Sequence, residues 1–193
     1  MPDSQDTSSS STERELVVRA QEGDRAAFRV LYEQYRERVH NLVYYSLGPR
    51  EAVEDVVQTI FIKIYRALPG FRFEAGLSTW IYRITLNECQ DRKRRRRAEF
   101  VPLEAILGSG DELDTGLLPD ERHERNERQE IVRQAIMDLP PRMRTVVVLK
   151  YMEGLSYEEI AEILGCAPGT VASRLNRSLA ELEARLRPLK TLL

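Results

Sequence analysis

The sequence predicts an all-α protein with two small helical domains joined by a flexible linker. Apolar residues recur at intervals of three and four over most of the chain, as they do on the buried face of a helix. No segment alternates with the two-residue period of a strand. The helical period fails over residues 98–126, which are rich in glycine and acidic residues and predict an extended linker. We therefore expect a disordered tail at residues 1–11, one domain over residues 12–97 and a second over residues 127–187.

Composition excludes several classes of protein. The chain has 29 lysine and arginine residues against 31 aspartate and glutamate residues, a net charge of −2 that argues against a generic nucleic-acid coat. No run approaches the roughly 20 apolar residues that span a membrane. The N-terminus is polar and acidic, with no apolar stretch to serve as a signal peptide. We expect a cytoplasmic protein without membrane insertion.

The cysteines and histidines predict no metal centre. Cys89 and Cys166 lie far apart in the chain. Their spacing relative to His40 and His123 matches no common metal site. Two buried free thiols are therefore expected, and no cofactor.

The first domain begins with two helices. The first is expected to start near Thr12 and to end at Gly23, after which Asp24 is a suitable N-cap for the second. The second helix should continue to Gly48 and Pro49.

The third predicted helix has a strongly apolar face and an unusual polar face. Asp55, Gln58, Thr59 and Lys63 lie on the polar face, and Ile62 is expected to be exposed among them. Pro69 and Gly70 end this helix. Its predicted buried face consists of Val53, Val56, Val57, Ile60, Phe61, Ile64 and Leu68.

An aromatic loop and a basic helix follow. Ser78 is a plausible N-cap for the fourth helix, which contains Trp80 and ends in the basic residues 92–97. Aromatic rings beside a basic tract suit single-stranded nucleic acid, because bases stack on rings and guanidinium groups hold phosphates. Taken alone, the stretch is also consistent with core aromatic residues and a solvated helix end.

The second domain has clear signals for where its helices begin and end. A helix from residue 127 is broken at Pro140 and Pro141, and a short helix follows. Ser156, with Glu159 three residues later, predicts a capping box at the start of the next helix. Gly165 permits a tight turn, and a last helix opens at Pro168.

These two final helices have the pattern of a helix-turn-helix, whose second helix enters the DNA major groove. An ordinary helical hairpin remains an alternative. The residues expected to face outward from the last helix, and able to bond bases or phosphates, are Thr170, Ser173, Arg174, Asn176 and Arg177.

Together, the two domains resemble bacterial sigma factors of the sigma-70 family, in particular the small two-domain extracytoplasmic-function (ECF) group. The segment DVVQTIFIKIYRALPGF is similar to the family's core-polymerase-binding helix. STWIYRITLNECQDRKRRRR resembles its promoter-melting and minus-ten segment, and LSYEEIAEILGCAPGTVASRLNRSLAEL resembles its minus-thirty-five helix-turn-helix. The resemblance covers nearly all of residues 13–187.

The resemblance implies that the protein binds core RNA polymerase and promoter DNA. The core-binding residues would be Asp55, Gln58, Thr59, Ile62 and Lys63. The loop over residues 71–78 would receive a base flipped out of the non-template strand. The minus-ten residues would be Phe71, Phe73, Ser78, Trp80, Arg83, Asn87, Arg94, Arg95, Arg96 and Arg97. The minus-thirty-five residues would be the five outward-facing ones of the last helix.

Two positions depart from the family pattern. Thr59 stands where the family commonly has glutamate, so that core contact is expected to be weaker or replaced. Ala172 stands where many members have a basic residue, so the resemblance carries no base contact there. Members of this group are typically held by an anti-sigma factor, and the resemblance implies such a partner.

Two other functions compete with this one. A stand-alone helix-turn-helix regulator would bind DNA, usually as a dimer. It would give no function to the third predicted helix, which carries Asp55. A nucleic-acid enzyme has little support, because the sequence lacks a phosphate-binding glycine loop and a recognisable nucleophile–base motif.

Overall fold

The structure, a computed structural model, describes residues 6–49, 52–99 and 127–187. Side-chain surroundings are described for residues 12–49, 52–96 and 129–187. In these ranges all regular structure is helical, which confirms the predicted all-α class. Of the predicted linker at residues 98–126, residues 98 and 99 are helical and the rest lies outside the described residues. In chain order the helices are α1 (Asp6–Gln21), α2 (Arg25–Leu47), α3 (Val53–Ala67), α4 (Leu77–Glu99), α5 (Glu127–Met137), α6 (Pro141–Val147), α7 (Tyr157–Leu164) and α8 (Pro168–Leu186).

The first domain is a bundle of α1 to α4 built around α2. Asp24 caps α2 as predicted, because its carboxylate accepts hydrogen bonds from the amides of Ala26 and Ala27, at 2.8 and 3.1 Å. Helix α2 packs against each of the other three helices. All seven residues predicted for the inner face of α3 are buried. A 3-10 turn at Leu68–Gly70 then ends α3, where Pro69 and Gly70 were expected to end it.

The second domain contains α5 to α8. The predicted capping box is present: the Glu159 amide donates to Ser156 Oγ at 3.1 Å, and the Ser156 amide donates to Glu159 Oε2 at 2.8 Å. Gly165 has the left-handed conformation at φ 61°, and Pro168 opens α8. Helix α6 continues into a π-helical turn at Val148–Met152. The helix-turn-helix predicted from the sequence is therefore formed by α7 and α8.

Three local predictions were wrong. Helix α1 begins at Asp6 instead of near Thr12, because extending an existing helix is far easier than nucleating one. Ser78 lies in the first turn of α4 and is not its N-cap, since the Trp80 amide donates to the carbonyl of Gly76. Leu179 is 39% exposed, although its spacing with Val171, Leu175, Leu182 and Leu186 predicts that it faces inward with them.

The inner face of α8 drifts as the helical period of 3.6 requires. Ser178 takes the buried position expected for Leu179, and its hydroxyl donates to the Arg174 carbonyl at 2.7 Å. The four-residue step from Leu175 therefore misplaces Leu179, whereas Leu182 and Leu186, which were also predicted to face inward, are half-buried.

The two domains pack against each other. Helix α4 contacts α7, and α2 contacts α6. The buried apolar residues of both domains form one continuous cluster. At one edge the Arg144 guanidinium donates to the Tyr45 carbonyl at 3.1 Å, near the C-terminal end of α2. Burial lowers the pKa of this arginine from its usual value.

Candidate polymerase-binding and DNA-binding surfaces

The polar face of α3 carries the predicted core-binding residues. Asp55 and Gln58 are exposed, whereas Thr59 is half-buried and donates its hydroxyl to the Asp55 carbonyl at 2.8 Å. Ile62 is 45% exposed, in agreement with the expectation from the sequence. Lys63 donates a hydrogen bond to the carboxylate of Glu88 on α4. The face therefore offers one exposed apolar side chain among polar groups, which is typical of an interface.

An open groove of about 740 Å³ lies beside this face, between α2 and α3. Two edge-to-face aromatic pairs line it: Phe28 with Tyr65 at 4.8 Å between ring centroids, and Tyr32 with Phe61 at 4.6 Å. Ile62 contributes to the same wall. The groove has a largely apolar floor next to charged and polar side chains, which suits the docking of a protein helix.

Sequence reasoning missed Tyr65, which is 44% exposed on this surface. It follows Ile62 by three positions, so the two side chains lie on one stripe of the helix. A second exposed apolar residue at that spacing was the signal that could have identified it.

The aromatic loop is packed against the bundle. The Phe71 ring is 7% exposed and lies 4.9 Å from the Phe73 ring and 5.0 Å from the Trp80 ring. Since Phe71 is buried and Trp80 is half-buried, these rings mainly support the loop. Phe73 has φ 59°, the one positive φ of a non-glycine residue among those described. The Phe73 ring is half-buried, as Trp80 is.

Helix α4 carries the predicted strand-binding and phosphate-binding residues beyond this loop. Asn87 is exposed, while Arg83 is half-buried and pairs with Glu162 of the second domain at 2.6 Å. Arg94 and the two arginines after it are exposed, and Arg94 pairs with Asp91. The Arg97 side chain lies outside the described residues.

The outer face of α8 agrees with the prediction. Ser173, Asn176 and Arg177 are exposed, and Thr170 and Arg174 are half-buried. The Ser173 hydroxyl donates to the Thr170 carbonyl at 3.0 Å. These five side chains lie on the N-terminal half of α8, the part of a recognition helix that reaches base edges.

A cavity of about 930 Å³ lies between α4 and the second domain. Its walls include Arg94 of the first domain and Arg142 and Arg174 of the second. The two predicted DNA-binding regions thus border one small cavity.

Both cysteines also line this cavity. Cys89 is buried, and burial raises the pKa of its thiol to about 12. Cys166 is half-buried, so the predicted burial holds fully only for Cys89. Within the described part of the chain, no group of three or more histidine, cysteine, aspartate and glutamate side chains could hold a metal ion.

The length and hydropathy of the helices bear on membrane insertion. None of the helices described for this chain is long and apolar enough to cross a bilayer.

Comparison with known families identifies both domains. The Sigma-70 region 2 family matches residues 31–99, and the Sigma-70, region 4 family matches residues 129–182. The first match spans α2, α3 and α4, and the second spans the helix-turn-helix.

Curated relatives match nearly the whole chain. The ECF RNA polymerase sigma-E factor of Haemophilus influenzae is 37% identical over 185 residues, covering 92% of this chain and 97% of that protein. The ECF RNA polymerase sigma-E factor of Escherichia coli is 38% identical over 184 residues, covering 92% and 96%. The RNA polymerase sigma-H factor of Pseudomonas aeruginosa is 36% identical over 183 residues, covering 92% and 95%.

Solved structures share the fold. CnrH in complex with the cytosolic domain of CnrY has a TM-score of 0.65 and 26% identity, covering 91% of this chain and 97% of that one. The sigma factor RpoE of Bartonella quintana, in complex with the anti-sigma factor NepR, has a TM-score of 0.68 and 22% identity, covering 83% and 96%. With both regions matched in order and relatives of full length, this chain belongs to the extracytoplasmic-function group of the sigma-70 family of sigma factors.

Proposed function

We propose that the protein is an alternative sigma factor that binds core RNA polymerase, directs it to a two-part promoter and helps to open the DNA. The observation that carries this proposal is the presence of both regions on one chain, with Ile62 and Tyr65 exposed on α3. A stand-alone DNA-binding regulator has no use for that apolar surface. The protein would act as a specificity subunit without catalysis of its own, in the cytoplasm.

Each surface has a separate role. The polar face of α3 and the groove beside it would bind core polymerase. The Phe73 loop, Arg83, Asn87 and the basic end of α4 would contact the minus-ten element. The exposed residues of α8 would read the minus-thirty-five element. An anti-sigma factor is the further partner, such as NepR, which is bound to the sigma factor RpoE of Bartonella quintana in its solved structure.

Run-off transcription with purified core RNA polymerase and a randomised promoter library tests this function. Transcripts that appear only with the protein, and that share two separated promoter elements, would support it. If the protein bound duplex DNA by itself and did not change transcription by the core enzyme, the proposal would be wrong. If the proposal is right, truncation after Arg97 should retain core binding and lose selection of the upstream element.

A further inference from the structure

Helix α1 has no role in the function as proposed so far, and the whole of it precedes the region 2 match at residues 31–99. It is nevertheless tied to the aromatic loop. The Gln21 side-chain amide donates to the Leu68 carbonyl at 3.0 Å and to the Phe71 carbonyl at 2.8 Å. One side chain thus holds both ends of the turn that leads into the loop.

A second residue of α1 contacts the loop further along. The Arg14 guanidinium lies 4.3 Å from the centre of the Phe73 ring, a cation–π distance. Arg14 and Gln21 are seven residues apart, so they lie on the same face of α1. Phe73 is also the residue with φ 59°, which is unfavourable for an aromatic residue and persists only where its surroundings hold it.

We infer that α1 is a positioning element for the minus-ten site: Gln21 and Arg14 hold the aromatic loop in the shape that accepts the flipped base. This inference rests on the proposed function. A preformed pocket binds the base without first ordering its own loop, whereas a loop freed from α1 would lose that ordering free energy on each encounter.

The test uses the full-length variants Gln21→Glu and Arg14→Ala, with the neighbouring exposed Glu22→Ala as the control. Gln21→Glu keeps the side-chain length but removes the amide that donates both bonds. The probe is a single-stranded oligonucleotide copied from the non-template strand of promoters selected in the transcription experiment. Its affinity should fall about tenfold for Gln21→Glu, the order expected when the net stabilisation of a hydrogen bond is removed.

The affinity of both α1 variants for core polymerase should stay at the wild-type value. The thermal midpoint of the control Glu22→Ala should also be unchanged. Discrimination between the selected base and a substituted base should also shrink in Gln21→Glu, which a merely structural loss of stability would not produce. Wild-type affinity and discrimination in both α1 variants would overturn the inference. If no promoter is selected at all, the proposed function fails instead.

A separate set of contacts joins the two domains across α4. Glu162 of α7 accepts a hydrogen bond from Arg83 at 2.6 Å. Glu153 accepts one from the Tyr82 hydroxyl and lies 3.9 Å from Arg38. The Glu153 side chain is only 3% exposed.

Glu162 occupies part of the α4 surface that the proposed function assigns to DNA, whereas Glu153 contacts Tyr82 and Arg38 beside it. Arg83 would approach the non-template strand, yet a carboxylate of the second domain neutralises it here. A surface ion pair such as Arg83 with Glu162 is weak and can be exchanged for a contact with phosphate, and it acts beside the apolar cluster that the two domains share. We propose that Glu162 and Glu153 form a latch, which holds the domains closed until DNA, polymerase or both displace it.

Small-angle scattering of the free full-length protein tests the latch without any need for DNA. The variants are Glu162→Gln, the double variant with Glu153→Gln, and Glu158→Gln, an exposed residue of the same helix, as the control. The double variant should have a larger radius of gyration than the wild type, and Glu158→Gln should not. Because Glu162 is a surface residue, Glu162→Gln should fold normally and expand in part.

Unfolding curves for each variant separate domain opening from loss of fold. A double variant that unfolds cooperatively and scatters like the wild type would overturn the latch. In the presence of core polymerase the difference in scattering between the double variant and the wild type should vanish, because polymerase would hold the domains of both proteins open.

Discussion

The Lys63 ammonium group donates a hydrogen bond to the Glu88 carboxylate and so joins α3 to α4. The Glu88 side chain is 6% exposed, whereas the Lys63 side chain is 47% exposed. Lys63 therefore serves the stability of the first domain as well as the surface proposed to meet polymerase. Any effect of a Lys63 substitution on core binding has to be separated from its effect on folding.

The asymmetric exposure of this pair predicts asymmetric costs of removal. Lys63→Met leaves a buried carboxylate without its cation and should lower the free energy of unfolding by about 3 kcal/mol. Glu88→Gln leaves a lysine that water can solvate, and should cost about 1 kcal/mol. Urea unfolding of both variants measures the difference, and equal costs would contradict this account of the pair.

The apolar stripe of α3 predicts a separation between binding and stability. Ile62→Asp should weaken core-polymerase binding about tenfold or more, because a charge would be buried at the interface. Stability should change little, since the side chain is 45% exposed in the free protein. Val30→Asp is the matched control, because Val30 is 46% exposed and does not line the groove. A competition assay in which Ile62→Asp matches the wild type would remove this surface from the proposal.

The recognition helix predicts a change of specificity. Arg174→Ala should weaken upstream-element recognition by about 1–3 kcal/mol for each base that the arginine reads, and relax the base preference there. Affinity for core polymerase should not change. Arg187→Ala is the control at the other end of the helix, where the arginine pairs with Glu183 at 3.0 Å. Unchanged promoter selection by Arg174→Ala would mean that the reading face of α8 is misplaced.

The two thiols should differ in reactivity. Burial raises the pKa of Cys89 to about 12, so almost none of it is thiolate at pH 8, and its 2% exposure also excludes reagents. Cys166 is half-buried and should be alkylated first. Mass spectrometry after a short iodoacetamide treatment should find one labelled cysteine in the folded protein and two after denaturation. Equal labelling rates in the folded state would contradict the burial of Cys89.

The N-cap of α2 predicts a dependence of stability on acid. The pKa of Asp24 lies below its usual value. The larger cause is the hydrogen bond from the Ala27 amide, and the next is the hydrogen bond from the Arg19 side chain. The stabilisation is therefore complete above the unfolded pKa of about 3.9 and is lost as the pH falls through the lower folded value. Asp24→Asn keeps a capping side chain without the charge, so its stability should fall less steeply in acid. If the thermal midpoints of Asp24→Asn and the wild type fall in parallel as the pH is lowered, the charge of Asp24 has no part in the cap.

Most of the secondary structure could be predicted because it depends on neighbours in sequence. Asp24 caps α2 and Ser156 caps α7 through residues two or three positions away, so the signals are local. The buried face of α3 was predicted in full because a helix repeats its faces regularly. The predicted start of α4 was wrong by two residues, because the first helical hydrogen bond is accepted by the Gly76 carbonyl and not by that of Ser78.

The candidate site was only partly predictable. The exposure of Ile62 and the outward face of α8 follow from the helical period. The burial of Phe71 does not, since it depends on Trp80 and on a turn held by Gln21, fifty residues earlier in the chain. Local periodicity carries no information about such long-range partners.

The sequence by itself determined most of the helices, the caps of α2 and α7, the order of the two regions and the family to which the chain belongs, because each depends on short-range patterns. Only the tertiary structure decided that Arg83 is paired with Glu162 and that Arg94 and Arg174 border one cavity. These relationships join residues from two domains, and they arise from packing energies that no local pattern records. The physical reason is that helix formation is a local equilibrium, whereas the docking of domains depends on surfaces that exist only after each has folded.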